Sequence, residues 1–407
     1  MSTKEAQRYA VIKRVLAGDI TQALAAQQLQ LSIRQVKRLC VAVRLGGASA
    51  LISKKRGQPS NRRIPAWRKS TILELVRQHY SDFGPQLASE YLLQMHQQSI
   101  NVETLRGWMS QAGLWTPKLR RAKRQHPTRP RRACFGELIQ LDGSAHDWLE
   151  GRSDKCCLIA FIDDATGRVL VAKFFPTETT QGYFELLQQY VSTYGIPLAL
   201  YSDRHSIFTK HDPEDAKPTQ FERALLQLNI EPICAHTPQA KGRVERLFQT
   251  LQERLCKAMR VAGINTLEQA NAWLDAYIEE HNRRFAVEPR ESEDAHRPYT
   301  GNTHELARIC SLHHQRQLSA ALSCSFEGSI IQIEPKQKNG PKGRTRVDIA
   351  QHADGTLEML YHGQVLVHKR YGCQDHLRRQ RSHDGKTVNQ HVDALRKEQK
   401  RIQRLKE

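Results

Sequence analysis

Hydrophobic residues recur at helical spacing through the first part of the chain, with short polar turns between the runs. The spacing predicts three helices, over residues 4–17, 21–29 and 33–45. Ser32 is placed to cap the third helix, and Gly46 with Gly47 would end it. Two short helices, a tight turn and a capped third helix are the pattern of a helix-turn-helix unit.

The third predicted helix carries side chains suited to contacting base edges in the major groove of DNA. They are Arg34, Gln35, Lys37 and Arg38. The alternative is a plain helical bundle with a solvated basic face. A second trio of predicted helices follows, and Asn101 would cap its last helix. Arg106 on that helix is the best candidate there for a groove contact, although a packing role fits its less basic face equally well.

From Phe135 onward the spacing changes to short apolar runs separated by turns. The predicted strands are 138–142, 156–164, 168–175, 198–203 and 230–236. Helices are predicted between the third and fourth strands, between the fourth and fifth, and around Glu245. Three strands in hairpin order, followed by alternating helix and strand, predict a mixed α/β sheet with ribonuclease H topology.

Three carboxylates fall where this topology would bring them together. Asp142 ends the first strand, Asp203 ends the fourth, and Glu245 lies in the helix laid across the same edge. Functional groups gather where neighbouring strands of an open α/β sheet end, so we expect the three acids to converge. Mg²⁺ prefers such oxygen ligands, and two ions can stabilise the attacking and leaving oxygens of a phosphoryl transfer. The sequence therefore predicts a two-metal catalytic site.

Each of these acids also has a purely structural interpretation. Asp-Gly after a strand is a common turn, Asp203 could cap a turn, and Glu245 could belong to a surface ion pair. Asp163 and Asp164 are the main rival ligands, but the sequence Ala-Thr-Gly that follows them favours a turn. 

Four other polar residues lie near the predicted acids in the sequence. Asp147 and Asp154 have the pattern of a solvated loop. His146 and His205 are candidates for orienting water or contacting DNA, and the alternative is a hydrogen-bonded loop histidine.

The chain of 407 residues has a formal charge of +20, which favours a polyanionic partner, above all double-stranded DNA. Solubility alone is the alternative, but the cations are clustered. Residues 54–69 hold seven Lys or Arg and no acid, and residues 118–132 hold eight and no acid. In the second run, Lys118, Arg120 and Arg121 are expected to lie along DNA. Around Glu245, the candidates for gripping the DNA backbone are Lys241, Arg243 and Arg246.

The absence of a long apolar run predicts a protein of the cytoplasm that does not enter the membrane. Nine scattered cysteines without a CxxC motif are typical of buried thiols in a reducing compartment, and we expect no structural zinc. Toward the C-terminus, short strands around 322–370 predict a small SH3-like β-barrel, and a basic tail follows.

The predicted fold class is multidomain. It combines N-terminal all-α helix-turn-helix domains, an α/β RNase H-like catalytic core, and a small C-terminal β-barrel with a basic tail. The predicted segments are a helix-turn-helix domain (1–50), a basic linker (51–66), a second helix-turn-helix domain (67–115), a basic connector (116–133), the catalytic core (134–262), a helical extension (263–300), the small β domain (301–370) and the tail (371–407).

Four segments together resemble the DDE transposase and retroviral integrase superfamily, and within it the insertion-sequence transposases of the ISNCY type. They read LIQLDGSAHDW, FIDDATGRVL, YSDRHSIF and PQAKGRVERLFQTLQERL. The resemblance places the catalytic triad on Asp142, Asp203 and Glu245. Two features depart from it: Arg204-His205 follows the second acid where many integrase cores have Asn-Gly, and the 42 positions between the second and third acids include an insertion at 209–220.

The resemblance implies an integrase-type catalytic core that uses two Mg²⁺ or Mn²⁺ ions. Such an enzyme binds the ends of a bacterial insertion sequence, hydrolyses a phosphodiester to free a 3′-hydroxyl, and joins that hydroxyl to target DNA. A homo-oligomer on DNA, a dimer or larger, is expected because two ends must be paired. Two alternatives remain open: a DNA-binding regulator with an inactive integrase-like core, and an RNase H-type nuclease that cuts without joining.

Overall fold

A computed structural model describes most of the chain. The described residues are 2–53, 63–117, 129–210, 217–235, 242–335, 340–372 and 396. Several predicted features lie outside them, namely Lys118, Arg120, Arg121, Lys241, part of the 209–220 insertion and nearly all of the tail. The chain divides into two compact units, 1–123 and 124–407.

The described part of the first unit is helical. Its α-helices are α1 (Thr3–Ala17), α2 (Gln22–Leu29), α3 (Ile33–Gly46), α4 (Ala66–His79), α5 (Pro85–His96) and α6 (Val102–Gln111). Helices α1 to α3 pack around a small core that includes Ile12, Ala25 and Val36. The predicted cap of α3 is confirmed, because the Ser32 hydroxyl accepts a hydrogen bond from the backbone N–H of Gln35 at 3.3 Å. The turn before it passes through Gln30 in the left-handed conformation.

The second trio, α4 to α6, has its own apolar contacts, including the buried side chains of Ile72, Leu92 and Met109. Asn101 caps α6 by accepting from the backbone N–H of Glu103 at 2.9 Å. Both predicted helical trios are therefore present in the first unit.

The second unit contains a five-stranded mixed sheet. Its strands are β1 (Leu138–His146), β2 (Cys156–Asp163), β3 (Val169–Phe175), β4 (Ala199–Ser202) and β5 (Glu231–Cys234), in the spatial order β3-β2-β1-β4-β5. Strands β1, β2 and β3 are antiparallel neighbours, whereas β4 is parallel to both β1 and β5. The predicted mixed α/β core is thus confirmed.

Helices cover both faces of this sheet. They are α7 (Thr180–Tyr194), α8 (Gln220–Gln227), α9 (Gly242–Val261) and α10 (Leu267–Phe285). One face packs with α7 and α8 and receives Ile139 and Leu141 from β1. The other packs with α9 and α10. Because side chains alternate along a strand, the even-numbered residues of β1 point toward the α9 side.

Helix α10 covers the edge strand β3 through two asparagines. Asn271 exchanges two hydrogen bonds with the backbone of Phe174, at 2.8 and 3.0 Å. Asn282 does the same with Val169, at 2.8 and 2.7 Å. Each amide therefore replaces a neighbouring strand at the edge, so α10 is joined to the core by both polar and apolar contacts.

The C-terminal β region forms two separate sheets. After α11 (Thr303–Ile309), the strands are β6 (Leu312–Gln317), β7 (Ser323–Phe326), β8 (Ser329–Ile333), β9 (Arg346–Gln351), β10 (Leu357–Tyr361), β11 (Gln364–Leu366) and β12 (His368–Gly372). The orders are β11-β10-β9-β6 and β12-β8-β7. The described strands do not close into one sheet, so the predicted barrel is not confirmed. Among the described residues, no helix is long and apolar enough to cross a bilayer.

Candidate active site

Asp142 on β1 and Asp203, the residue directly after β4, lie at the same edge of two neighbouring parallel strands. Strands β1 and β4 pair with Leu138 opposite Ala199, Ile139 opposite Leu200, and Gln140 opposite Tyr201. The same register, continued by two residues, sets Asp142 opposite Asp203. Adjacent strands lie about 4.8 Å apart, so the backbone brings the two acids side by side.

Strand β1 is longer than the sequence predicts, because it runs through Asp142 to His146. The antiparallel partner β2 pairs with it throughout, up to His146 opposite Cys156. Asp142 therefore lies two residues after Gln140, the last residue of β1 that pairs with β4, but it does not end the strand. The position of the carboxylate remains the one the prediction needs.

The alternation along β1 puts Asp142 on the side of the sheet that α9 covers. Asp142 has the same parity as Gln140 and Ser144, and the Ser144 hydroxyl accepts a hydrogen bond from Gln252 of α9 at 3.1 Å. On β4, Leu200 belongs to the opposite face, so the same alternation, continued one residue past Ser202, would bring Asp203 to the α9 side. Glu245 lies in the first turn of α9 and is exposed.

Local backbone groups hold one oxygen of each strand acid. Asp142 Oδ1 accepts from the N–H of Gly143 at 3.1 Å, and Asp203 Oδ1 accepts from the N–H of His205 at 2.9 Å. Among the described residues, no three His, Cys, Asp or Glu side chains are gathered closely enough to hold a metal ion. The backbone thus aligns the acids, while the side chains are not assembled into a metal site.

The predicted histidines lie near these acids in different ways. The ring of His146 stands edge-on to Trp148, with the centroids 5.4 Å apart. His205 is exposed and contributes its backbone N–H to Asp203. Their roles toward water or DNA stay predictions.

The candidate DNA contacts of α3 are all on its exposed surface: Arg34, Gln35, Lys37 and Arg38. Arg106 is instead engaged locally, by an ion pair with Glu103 at 2.5 Å and by a position over the ring of Trp115. That arrangement favours the packing role that the sequence left open. Arg246 is exposed, as a DNA contact requires.

Arg243 points away from the exposed side of α9. Its guanidinium pairs with Asp164 Oδ1 at 2.5 Å and donates to the carbonyl of Arg129 at 2.9 Å. Burial lowers the pKa of Arg243, and Asp164 opposes that shift. A structural contact therefore occupies the side chain for which the sequence predicted a grip on DNA.

The rival acids Asp163 and Asp164 are fully buried at the end of β2. Asp163 accepts from the N–H and hydroxyl of Thr166, both at 2.7 Å, and from the N–H of Gly136 at 3.1 Å. Burial raises the pKa of Asp163. Asp163 therefore stabilises the turn between β2 and β3, in agreement with the sequence prediction. The sequence pattern did not predict the long-range partners of Asp164.

Comparisons with known proteins bear on this geometry. Residues 7–60 match a family described as a helix-turn-helix domain. The chain is 42% identical over 373 residues to the putative transposase y4bF of Sinorhizobium fredii (strain NBRC 101917 / NGR234), covering 91% of this chain and 81% of that protein. The chain belongs to the transposase family.

A second transposase relative spans a similar length. The transposase for insertion sequence IS1202 of Streptococcus pneumoniae is 31% identical over 408 residues, covering 88% of this chain and 87% of that protein. These relatives confirm, at the family level, the resemblance to DDE transposases carried by the four sequence segments. The solved HTLV-2 integrase catalytic core domain in complex with magnesium (dimeric form) is 20% identical with a TM-score of 0.26, covering 34% of this transposase and 86% of that chain.

Proposed function

We propose that this transposase binds insertion-sequence ends, hydrolyses a phosphodiester to free a 3′-hydroxyl, and joins that hydroxyl to target DNA. The observation that supports it best is the parallel register of β1 and β4, which, continued by two residues, would bring Asp142 opposite Asp203 at an edge of the sheet that α9 covers. Glu245 on α9 supplies the third carboxylate. The net charge of +20 suits a DNA substrate.

The donor set fits a hard divalent cation, because all three side chains offer carboxylate oxygens. Asp142, Asp203 and Glu245 would hold Mg²⁺ or Mn²⁺, and we propose two ions. When bound, such ions stabilise charge on the attacking and leaving oxygens of a phosphoryl transfer. Assembly of the site requires the exposed side chain of Glu245 to turn toward the strands.

The two reactions share one type of bond exchange. In the first, water attacks a phosphorus at the element end and the bond to the 3′-oxygen breaks, which leaves a 3′-hydroxyl and a 5′-phosphate. In the second, that 3′-hydroxyl attacks a phosphorus of the target and displaces the target's own 3′-oxygen. The exposed cations of α3 and Arg246 would hold the DNA by its phosphates and base edges. A homo-oligomer would pair two ends.

Substitution of the three acids tests the proposal. Asp142→Asn, Asp203→Asn and Glu245→Gln should each lower strand transfer by roughly 10²–10³-fold, since several kcal/mol of charge stabilisation would be lost. Binding of end DNA should stay within about twofold, because the helix-turn-helix unit is unchanged. The measurement uses labelled end DNA, a plasmid target and Mn²⁺ or Mg²⁺.

Asp147→Asn is the matched control, because Asp147 is another acid close to Asp142 in the sequence. Among the described residues, its carboxylate accepts one hydrogen bond, from the backbone N–H of Gly151 at 2.9 Å. It should retain strand transfer. Wild-type protein that binds ends without cleaving them would support the regulator instead. Cleavage without joined products would support the nuclease.

A further inference from the structure

We propose that Asp164 is a positioning residue for the candidate catalytic site. Its buried carboxylate fixes the first turn of α9, which carries Glu245, against the strand that carries Asp142. This inference rests on the function proposed above and assigns no bond-making step to Asp164 itself.

Four donors converge on the Asp164 carboxylate, whose side chain is 0% exposed. Oδ1 accepts from Gln140 Nε2 at 2.6 Å, from Arg243 Nη1 at 2.5 Å, and from Arg129 Nη2. Oδ2 accepts from the backbone N–H of Arg132 at 2.9 Å. A buried carboxylate needs such partners, because an unpaired buried charge is strongly destabilising.

These donors come from three different segments. Gln140 lies two residues before Asp142 on β1, with its side chain on the same face of the strand. Arg243 lies two residues before Glu245 in the first turn of α9. Residues 129–132 end the basic connector. One carboxylate therefore joins the strand of the first acid to the helix of the third.

A second polar contact completes the alignment of α9 along β1. Gln252 of α9 donates to the Ser144 hydroxyl of β1 at 3.1 Å. Gln252 lies nine residues after Arg243 on the helix, and Ser144 lies four residues after Gln140 on the strand. The apolar residues of α9 determine which side of the helix faces the sheet. Apolar contacts are non-directional, so they restrain sliding along the strand weakly. The two polar contacts bracket Asp142 on the strand and Glu245 on the helix.

The charge balance makes Asp164 necessary for this alignment. The side chain of Arg243 is 23% exposed and that of Arg129 is 43% exposed, and both bond the same carboxylate oxygen. Without the negative charge, two cations would face each other in a partly desolvated place. The first turn of α9, which has Arg243 at its second position, would then move away from β1.

The test uses Asp164→Asn, Arg243→Gln and the double variant in the full-length protein. Hydrogen exchange of the first two turns of α9, residues 242–249, should accelerate at least about tenfold in each single variant. The kcat for strand transfer should fall at least about tenfold, while the KM for end DNA changes less than about twofold. The double variant should be no worse than the worse single variant, because the two side chains act as one unit.

Asp163→Asn is the matched control, because Asp163 is equally buried in the same turn but bonds only Thr166 and Gly136 among the described residues. It should leave α9 exchange at the wild-type rate. Unchanged α9 exchange in Asp164→Asn, or additive effects in the double variant, would overturn the inference. An equal loss of kcat in Asp163→Asn would do the same. If Asp164→Asn does not fold, Arg243→Gln and Arg243→Lys decide the question by the same exchange measurement.

The two proposals can fail separately. Wild-type protein without strand transfer would refute the proposed function, and the exchange data would still decide whether Asp164 holds α9. Strand transfer that depends on the three acids, with α9 exchange indifferent to Asp164, would refute only the positioning role.

Discussion

Gly136, just before β1, combines two constraints that each exclude a side chain. Its φ of +83° lies in the left-handed region, and a Cβ added there would lie 2.3 Å from Nδ1 of His296. That ring cannot easily retreat, since Nδ1 bonds Asp294 at 2.5 Å and Nε2 bonds the hydroxyl of Tyr190 at 2.5 Å. The glycine therefore lets the segment around His296 lie against the start of the first strand.

We expect Gly136→Ala to destabilise the second unit by about 2–3 kcal/mol, from backbone strain together with the clash. Gly151→Ala is the matched control, because Gly151 has φ +74° and no atom within 4 Å of an added Cβ. It should cost only the strain, about 1 kcal/mol. Thermal or denaturant unfolding measures both, and equal losses would show that the His296 contact is irrelevant.

Among single residues, the sequence predicted some members of the candidate site and missed others. Asp142, Asp203 and Glu245 could be proposed because each stands beside a recognisable strand or helix. Asp164 could not be assigned a role, because its partners lie 24, 32, 35 and 79 positions away. Only the folded sheet brings those donors together, and the local pattern showed just a turn.

Helix α10 buries a histidine between two aromatic rings. The ring of His281 is stacked on Tyr277 and tilted against Phe285, with centroids 6.4 and 4.7 Å away. Its Nδ1 has no hydrogen-bond partner among the described residues. Burial lowers the pKa of His281 to about 4, and the nearby charge of Arg254 adds to the effect. The folded protein therefore holds this ring neutral under conditions where the unfolded chain would protonate it.

A stability loss in mild acid follows from that pKa. The folded value lies below the ordinary value of about 6.5, so the contribution is complete above pH 6.5 and is lost as the pH falls toward 4. The loss amounts to at most about 3 kcal/mol. His281→Phe should keep the ring packing and flatten this part of the stability–pH curve, as measured by denaturant unfolding between pH 7 and 4.5. An unchanged slope would assign the effect to other groups.

Element boundaries were predicted less well than element types. The sequence predicts that β1 ends at Asp142-Gly143, because residues 142–146 lack an apolar alternation. Their pairing with Cys156 to Ala160 of β2 supplies the missing hydrogen bonds, and that partner is not visible in the local sequence. The cap at Ser32 was predicted correctly because it depends only on neighbouring residues.

For the molecule as a whole, the charge of +20 predicts DNA binding that weakens steeply with salt. Affinity for DNA should fall by roughly 10³-fold or more between 50 and 200 mM salt.

Arg38→Ala should weaken the binding free energy by about 1–3 kcal/mol on end DNA and much less on unrelated DNA, because Arg38 would contact base edges. Arg14→Ala removes the same charge from the exposed surface of α1 and should not reduce this discrimination. Equal losses on both DNAs would remove Arg38 from sequence recognition.

The overall architecture followed from the sequence because two helical trios and a run of short strands have distinct periods. The C-terminal strands were found, but their grouping into two sheets was not predicted. Pairing among short strands depends on long-range contacts, such as β12 with β8. The local pattern does not encode them.

The spacing of the two asparagines on α10 matches the spacing of their partners on β3. They are eleven residues apart on the helix, and their partners Val169 and Phe174 are five apart on the strand. Both separations are about 16–17 Å, at roughly 1.5 Å per helical and 3.3 Å per extended residue. One residue inserted between the asparagines would rotate the second by about 100°, away from the strand. The edge of β3 would then become a free template, open to a strand from another molecule. Insertions in this helix are therefore expected to cause aggregation before they cause loss of helix.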